Sequence, residues 1–288
     1  MLSKEILSVL FFLCFSLALV AADRKAPPAD LTAAQIIEKN VAARGGLQAW
    51  HAVQSMSWAG KMDAGGGSIK QSRRIAVGRR GRPGKMELTA AKDTATKAEA
   101  AKQAQLPFVL EMKRPRKSRV EIEFAGKTAV QVYDGTNGWK LRPYLNRNDV
   151  EPFTAEELKS ETDRGDLDGP LVDYAAKGAK VELDGVEPVE GRDAYKLKLT
   201  TRNGDVQHVW IDKESFLDVK VEGAPRRMDG RMRTVWIYQR EFRSVQGLKI
   251  PFLMETVVDG YRETHKMVIE KVEVNPKLTD ALFAKPGA

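Results

Sequence analysis

The chain has 288 residues, of which 42% are hydrophobic, and its formal net charge is +8 at pH 7. This length is enough for one or two domains, and the hydrophobic content is enough to form a core. The only cysteine, Cys14, lies within an N-terminal apolar run. Disulfide bonds are therefore excluded from the remainder of the chain.

Residues 1–22 predict a secretory signal peptide. Lys4 stands near the start, an apolar run extends from Ile6 to Val20, and alanines occupy positions 21 and 22. We expect cleavage after Ala22, because small residues precede signal cleavage sites. The alternative is an uncleaved anchor, although the run is shorter than the roughly 20 residues of a membrane span. Large apolar residues surround Cys14, so it is part of the signal and not a lipidation site.

A linker, a helix and two strands are predicted next. Residues 23–30 are rich in Pro and Ala, which predicts a flexible linker. Thr32 is a good N-cap, apolar residues then recur at helical spacing, and Gly45 with Gly46 ends the helix. Strands are predicted over 53–62 and 69–77. Residues 78–105 are basic and then rich in Ala, Lys and Thr, which predicts a mobile insertion between two strands.

Residues 108–143 predict an antiparallel meander of four short strands. Apolar residues alternate with polar ones, as in strands with one buried face. Asp134-Gly135 and Asn137-Gly138 supply residues that tight turns accept at positive φ. The segment contains no nucleophile–base pair, metal-ligand cluster or phosphate loop. It is therefore typical of a binding surface and not of a catalytic centre.

The second half of the chain predicts two short helices followed by strands. Thr154 and Glu157 have the spacing of a capping box, so a helix begins there, and a second helix is predicted over 167–177. Strands are predicted over 181–183, 194–201, 206–211, 217–222, 232–242, 250–258 and 262–274, with a short helical turn over 278–283. The fold class is mainly β, with a strongly curved antiparallel sheet or incomplete barrel covered by a helical lid.

Four groups of residues, taken in order, resemble a known family, the LolA/LolB-like periplasmic lipoprotein carriers. They are Ala43-Arg44-Gly45-Gly46 with Trp50; Lys113-Arg114-Pro115 with Arg119, Tyr133-Asp134-Gly135 and Trp139; Tyr195 to Leu199 with Val209-Trp210-Ile211-Asp212; and Ile250-Pro251 with Val272 to Asn275 and Leu282-Phe283. The resemblance covers residues 31–286. It implies a single domain over 31–288, with an incomplete barrel and helices over an apolar cavity.

The same resemblance implies that acyl chains of lipoproteins or other lipids are the ligands. The candidate cavity residues are inward-facing apolar positions of the predicted strands: Phe108, Leu110, Met112, Val120, Ile122, Phe124, Tyr195, Leu197, Leu199, Trp236, Phe252 and Met254. Trp139 follows a tight turn and is a candidate for the cavity mouth. For each of these residues the alternative is ordinary core packing, because alternation alone does not distinguish the two faces of a curved sheet.

No catalytic or metal site is predicted. His51, His208 and His265 lie far apart and match no metal or nucleophile motif. The acidic residues Asp163, Asp166, Asp168 and Asp173 lack the final glutamate of a calcium loop, so we interpret them as helix caps and a solvated turn. No G-x-S-x-G motif or P-loop is present, and neither a cofactor nor an enzymatic activity is expected.

The positive charge is concentrated in a few segments: 79–85, 113–119 and 226–233. In a secreted protein such a surface meets anionic lipid or an acidic partner more often than nucleic acid. The alternative is a set of solvated loops and strand edges.

The sequence therefore predicts a monomeric periplasmic carrier, in a Gram-negative-type envelope, that moves lipids or acylated lipoproteins to the outer membrane. The alternatives are an envelope-stress or lipid sensor that acts through a protein partner and, less favoured, a hydrolase of envelope material.

Overall fold

The computed structural model describes residues 31–64, 104–143, 146–164 and 166–287, and for residues 162–164 it describes the backbone alone. The predicted signal peptide, the linker at 23–30 and the strand at 69–77 lie outside these residues. Nearly all of the predicted insertion at 78–105 does so as well. The described residues from Thr32 onward belong to one compact unit.

Two short helices open the described chain, α1 (Ala33–Ala43) and α2 (Leu47–Ala52). The predicted N-cap is confirmed. The Thr32 hydroxyl accepts from the Gln35 amide, and the Gln35 side chain accepts from the Thr32 amide. This capping box satisfies amide groups that the first turn of a helix leaves without partners. Helix α2, which follows directly after Gly45 and Gly46, was not predicted.

Thirteen strands and one further helix make up most of the remaining described residues. The strands are β1 (Ser55–Asp63), β2 (Gln105–Lys113), β3 (Lys117–Phe124), β4 (Lys127–Tyr133), β5 (Gly138–Arg142), β6 (Arg147–Pro152), β7 (Lys180–Val189), β8 (Arg192–Thr200), β9 (Val206–Asp212), β10 (Asp218–Met228), β11 (Arg231–Val245), β12 (Leu248–Val258) and β13 (Thr264–Val274). Helix α3 (Ala155–Arg164) follows β6, and a 3₁₀ turn, Asp280–Phe283, follows β13.

All of these strands belong to one curved, unclosed antiparallel sheet. Its order is β6-β5-β4-β3-β2-β1-β13-β12-β11-β10-β9-β8-β7, so β6 and β7 are the two edges. Consecutive strands of the chain are neighbours in the sheet, except that β6 and β7 lie at opposite edges; the first and last strands, β1 and β13, pair with each other. The predicted fold class, an incomplete barrel with a helical cover, is confirmed, as are the four strands of the meander.

Two local predictions are wrong. Residues 167–177 do not form a helix but a series of turns, since Gly169-Pro170 interrupts the segment and Asp173 adopts a φ of +51°. Strand β6 was not expected, because its sequence RNDVEP has no alternation of apolar and polar residues. Its strand conformation comes from pairing with β5 and not from its own side chains.

The two faces of the sheet are covered differently. The concave face carries the main core, which includes Trp50 from α2 and Val172 from the 166–179 turns. On the convex face of β4 and β5, Val130 and Val132 pack against Phe283 of the 3₁₀ turn. The strongest candidate for a functional surface is therefore the part of the concave face that the helices leave partly exposed.

Candidate functional site

A row of long apolar side chains crosses four strands of the concave face. The register pairs Met254 of β12 with Met267 of β13, Met267 with Met62 of β1, and Met62 with Leu106 of β2. All four residues are only partly buried. We call these four residues the methionine row. Methionine side chains are flexible and polarizable, so such a row adapts to apolar ligands of different shape.

A second row lies next to the methionine row. Here Ile269, Gly60, Phe108 and Ile122 follow one another across β13, β1, β2 and β3. A bulge falls between Ala59 and Gly60, and a Cβ atom at Gly60 would lie 2.0 Å from the carbonyl oxygen of Val268. Only glycine permits this close approach of β1 to β13.

The floor of the concave face is closed core. Trp50, Val53 and Met56 are at most 1% exposed and pack with Leu248, Ile250 and Phe252. Around them lie partly buried apolar side chains: Trp58, Met62, Leu110, Met112, Ile122, Met254, Met267 and Val272. The accessible apolar surface is therefore a band on the concave face, which we call the apolar band. It lies between the filled floor and the strand ends near Met62.

The 166–179 turns are held on the floor by a buried charge network. Asp168 is 2% exposed, and its carboxylate accepts from Arg114 at 2.7 Å and from Lys177 at 2.6 Å. Arg44, which lies 4.5 Å above the Trp50 ring, donates to the Asp168 carbonyl at 3.0 Å. The interpretation of this aspartate as part of a solvated turn is therefore wrong.

Asp166 extends the same network. Its carboxylate accepts from Arg116 at 2.9 Å and lies 3.4 Å from Lys177. Burial raises the pKa of Asp166, but the hydrogen bond from Arg116 and the charge of Lys177 outweigh burial and hold that pKa below its ordinary value. The turns that cover the floor are thus fixed by ion pairs as well as by Leu167 and Val172.

Helix α3 covers the concave face through polar contacts. Lys140 of β5, itself 7% exposed, donates to both carboxylate oxygens of Glu157 at 2.5 and 2.6 Å. Ser118 of β3 donates to Glu161 at 3.4 Å, while Lys159 bonds Asp205, just before β9, at 3.0 Å. The helix is therefore tied to strands near both edges of the sheet. Its sequence, AEELKSETDR, offers little apolar surface for permanent packing.

Helix α3 begins at a second confirmed capping box. The Thr154 amide donates to Glu157, and the Glu157 amide donates to the Thr154 hydroxyl. Burial raises the pKa of the Glu157 carboxyl, but the bonds from Lys140 and Thr154 outweigh it, so the pKa is lower than usual. Glu157 thus caps the helix and anchors it to the sheet at once.

Most of the predicted cavity residues lie on the concave face. Phe108, Leu110, Met112, Ile122, Phe252 and Met254 belong to the main core or pack against it. Val120 is the cross-strand partner of Leu110, and Phe124 lies at the exposed end of β3. Tyr195, Leu197 and Leu199 also lie on the concave face, on the half of the sheet that faces α1. The register shows this, because Leu197 pairs with Val209, Val209 with Val221, and Val221 with Ile237. The ligand-binding function of these residues stays a prediction.

Two predicted residues lie on the opposite face. Trp139 is paired with Val132 and packs in the convex cluster with Phe283. Trp236 packs with Trp210 and Tyr238, whose rings surround the Lys220 ammonium at 4.1 to 5.6 Å. Burial lowers the pKa of Lys220. Because both tryptophans point away from the concave face, we leave them out of the candidate site.

Met62, Met267 and Trp58 were not among the predicted cavity residues. The available signal was the alternation of Met56, Trp58 and Met62 within the predicted strand 53–62. What alternation does not show is that β1 and β13, at opposite ends of the chain, pair at the centre of the sheet.

The histidines lie at three separate places. His51 of α2 lies 2.5 Å from Asp173, His208 of β9 lies 2.5 Å from Glu222 on the convex face, and His265 lies in β13. Within the described ranges, no three His, Cys, Asp or Glu side chains are grouped so as to hold a metal ion. Over the same ranges, no helix has the length and apolar character required to span a membrane.

Comparison with known proteins gives similarity at the level of structure alone. No protein-family model matches the sequence, and no curated protein is similar to it. A LolA superfamily protein from Nitrosomonas europaea is similar in structure, with a TM-score of 0.52 and 16% identity over 88% of this chain and 98% of that one. A DUF1329 family protein from Desulfovibrio piger gives a TM-score of 0.51 and 14% identity over 86% of this chain and 95% of that one. At such identities the comparison shows the fold, and this chain has the LolA/LolB-like fold.

Proposed function

We propose that this protein binds the acyl chains of lipids or acylated lipoproteins on its concave face and carries them through the periplasm towards the outer membrane. The observation that carries the proposal is the methionine row. Large apolar side chains stay partly exposed on the four central strands of the concave face, whose covering helix α3 is mostly polar. A folded protein usually buries such residues unless a ligand completes the packing.

The energetics of acyl binding fit this surface. Each methylene group that leaves water for an apolar site contributes about 0.8 kcal/mol, so a long chain binds tightly without any hydrogen bond. Flexible methionine side chains accommodate chains of different length and saturation. Phe108 and Phe252, which are 2% and 6% exposed, belong to the buried core against which the accessible residues pack.

Helix α3 is the candidate lid. Its contacts described above are ion pairs and hydrogen bonds, and water can take over these contacts because opening exposes both partners. Its N-terminus is anchored by Phe153, whose amide donates to the Gly138 carbonyl at 2.8 Å. When α3 pivots about this anchor, an acyl chain can enter the concave face from the side.

The periplasmic location rests on the predicted signal peptide. The LolA/LolB-like fold supports a carrier over an enzyme. His51 pairs with Asp173 of the acidic cluster and His208 pairs with Glu222 on the convex face, while His265 lies in β13, so the three histidines do not converge on one site.

The experiment is native mass spectrometry with lipid extraction on the mature protein, purified gently from an envelope fraction. Two neighbouring residues of β13 give a matched pair of variants. Met267 points to the concave face, while Val268 points away and is 37% exposed. We expect bound acyl species in the wild type and in Val268→Glu. Met267→Glu should retain about tenfold less acyl lipid. A tenfold factor corresponds to about 1.4 kcal/mol, and a charge in the apolar band costs more than that.

Equal lipid content in Met267→Glu and wild type, with both variants folded, would contradict the proposed site. Absence of lipid from the wild type, with no uptake of added acylated peptide, would contradict the proposed function. A loaded protein that never transfers its lipid to acceptor vesicles would favour the sensor over the carrier.

A further inference from the structure

Arginines without a carboxylate partner collect at one end of the sheet. Most arginines with a described side chain form an ion pair. Six of them have no ion pair within the described residues: Arg202, Arg226, Arg227, Arg231, Arg233 and Arg262. All six lie in the turn between β8 and β9, at the β10–β11 hairpin end or in the turn between β12 and β13. These three connections occupy the same end of the sheet.

The register shows which of these arginines share the concave face. Val235 is buried there, and Arg233 and Arg231 precede it by two and four residues in the same strand. Arg226 of β10 is directly opposite Arg233 and so points to the same side. Arg227 is opposite Met232 and points to the convex side. The concave side of the hairpin thus carries two arginines at directly opposite backbone positions.

Facing like charges destabilise a pair of strands unless an anion lies between them. No described carboxylate fulfils that function. Asp229, at the hairpin turn, accepts from the Tyr261 hydroxyl, and the exposed Asp259 and Glu263 of the next turn form no described ion pair with these arginines. In addition, Nε of Arg233 is buried and has no hydrogen-bond partner, while its guanidinium lies 5.8 Å from the Tyr261 ring. A buried donor without a partner is costly and indicates a missing acceptor.

The arginine pair continues directly into the apolar band. Along β11, Arg233 is followed on the same face by Val235 and Ile237, and Ile237 is paired with Thr256, two residues from Met254 in the methionine row. The register places Gln239 opposite Met254, so Arg233 lies six residues away along β11, about 20 Å at roughly 3.4 Å per residue. An acyl chain that extends along β11 from Arg226 and Arg233, over Val235 and Ile237, therefore reaches the methionine row at Met254.

We infer that Arg226 and Arg233 bind the anionic headgroup, a phosphate or a similar oxyanion, of a lipid whose acyl chain lies on the methionine row. This inference rests on the proposed function and makes it more specific, because it selects anionic amphiphiles over neutral ones. Arginine suits this task, since its planar donors match phosphate oxygens in pairs and its charge is permanent. Arg231, two residues before Arg233 on the same face of β11, adds to the local positive potential.

The experiment is calorimetric titration of the mature protein with three probes: lysophosphatidylglycerol, a monoacylglycerol with the same acyl chain, and inorganic phosphate. Both amphiphiles are used below their micelle concentrations. We expect lysophosphatidylglycerol to bind about tenfold or more tightly than the monoacylglycerol, because charge-assisted hydrogen bonds supply that factor. Phosphate alone should bind far more weakly than either amphiphile, since it has no chain to bury.

Adjacent residues of β10 provide the variants. Arg226→Gln and Arg227→Gln remove the same charge from the same exposed hairpin, on opposite faces. We expect Arg226→Gln to lose about tenfold in affinity for lysophosphatidylglycerol and to keep its affinity for the monoacylglycerol, whereas Arg227→Gln retains both. Arg233→Gln should behave as Arg226→Gln does. Unchanged circular dichroism and thermal midpoints confirm that the variants are folded.

Three results would overturn the inference. Equal affinity for the anionic and the neutral amphiphile would mean that the headgroup is not recognised. Equal losses in Arg226→Gln and Arg227→Gln would show a general effect of surface charge and no site. Phosphate binding as tight as that of the lipid would show an anion site unrelated to the acyl band. Failure of both amphiphiles to bind would instead contradict the proposed function itself.

Discussion

At the scale of single residues, Gly138 links the sheet to the lid. The Phe153 ring covers this glycine so closely that a Cβ atom at position 138 would lie 2.0 Å from the ring carbon Cδ2. Phe153 stands two residues before α3 and is 9% exposed. The absence of a side chain at Gly138 therefore permits the contact from which the lid begins.

We predict that Gly138→Ala destabilises the protein by about 1–3 kcal/mol, the usual cost of inserting a methyl group into a packed site. The displaced ring should also loosen α3. Urea denaturation measures the first effect, and amide hydrogen exchange over residues 155–161 measures the second. As a control, the same substitution in a Phe153→Leu background should cost markedly less, since the smaller side chain leaves room. An equal cost in both backgrounds would show that the strain arises elsewhere.

Partial burial separates the residues that suit a binding experiment from those that do not. Phe108, a natural choice from the sequence, is 2% exposed and lies in the core, so a charge at that position would unfold the sheet. The residues of the methionine row touch the same core but keep part of their surface free. Substitutions in this row therefore test binding and not folding.

At the scale of elements, the attachment of α3 depends on ionised carboxylates. The pKa of Glu157 is lower in the folded protein than the ordinary value of 4.5, despite its burial, because Lys140 and Thr154 bond the charged form. A depressed pKa contributes stability that is fully present above the unfolded value. That stability is lost as the pH falls below 4.5 and through the folded pKa.

We therefore predict that acid releases the lid before it unfolds the sheet. Hydrogen exchange over residues 155–161, corrected for the intrinsic rate at each pH, should show constant protection at neutral pH and a loss of protection below about pH 4.5. The far-ultraviolet spectrum of the sheet should change only at lower pH. In Glu157→Gln the protection should be low at every pH. Wild-type protection that persists until the whole protein unfolds would contradict this account of the lid.

At the scale of the whole molecule, the sequence predicts the elements better than it predicts their faces. The capping boxes at Thr32 and Thr154 and the meander depend on neighbours along the chain, so local patterns were sufficient. The 166–179 turns depend on distant residues, since Arg44, Arg114 and Arg116 hold them. Strand β6 pairs with the strand before it, β5, but its own side chains do not alternate, so the pairing could not be read from them. No local pattern contains those contacts.

The face on which a side chain lies is the least predictable feature. Trp139 and Trp236 alternate with their neighbours as concave residues do, and only the register of the complete sheet places them on the convex side. Bulges in β13 and β10 shift the alternation further. The methionine row is a product of that register, since Met62, Met254 and Met267 come from three separate parts of the sequence.

The central claim is that an acyl chain lies on the methionine row, and methyl NMR of methionine-labelled protein with a nitroxide-labelled fatty acid tests it most directly. The account predicts strong broadening of the Met62, Met254 and Met267 methyl signals, which a diamagnetic acyl competitor reverses. The signal of Met232, which is 50% exposed on the convex side of the hairpin, should stay sharp. Broadening of Met232 alone, or of none of these methyl groups, would contradict the claim.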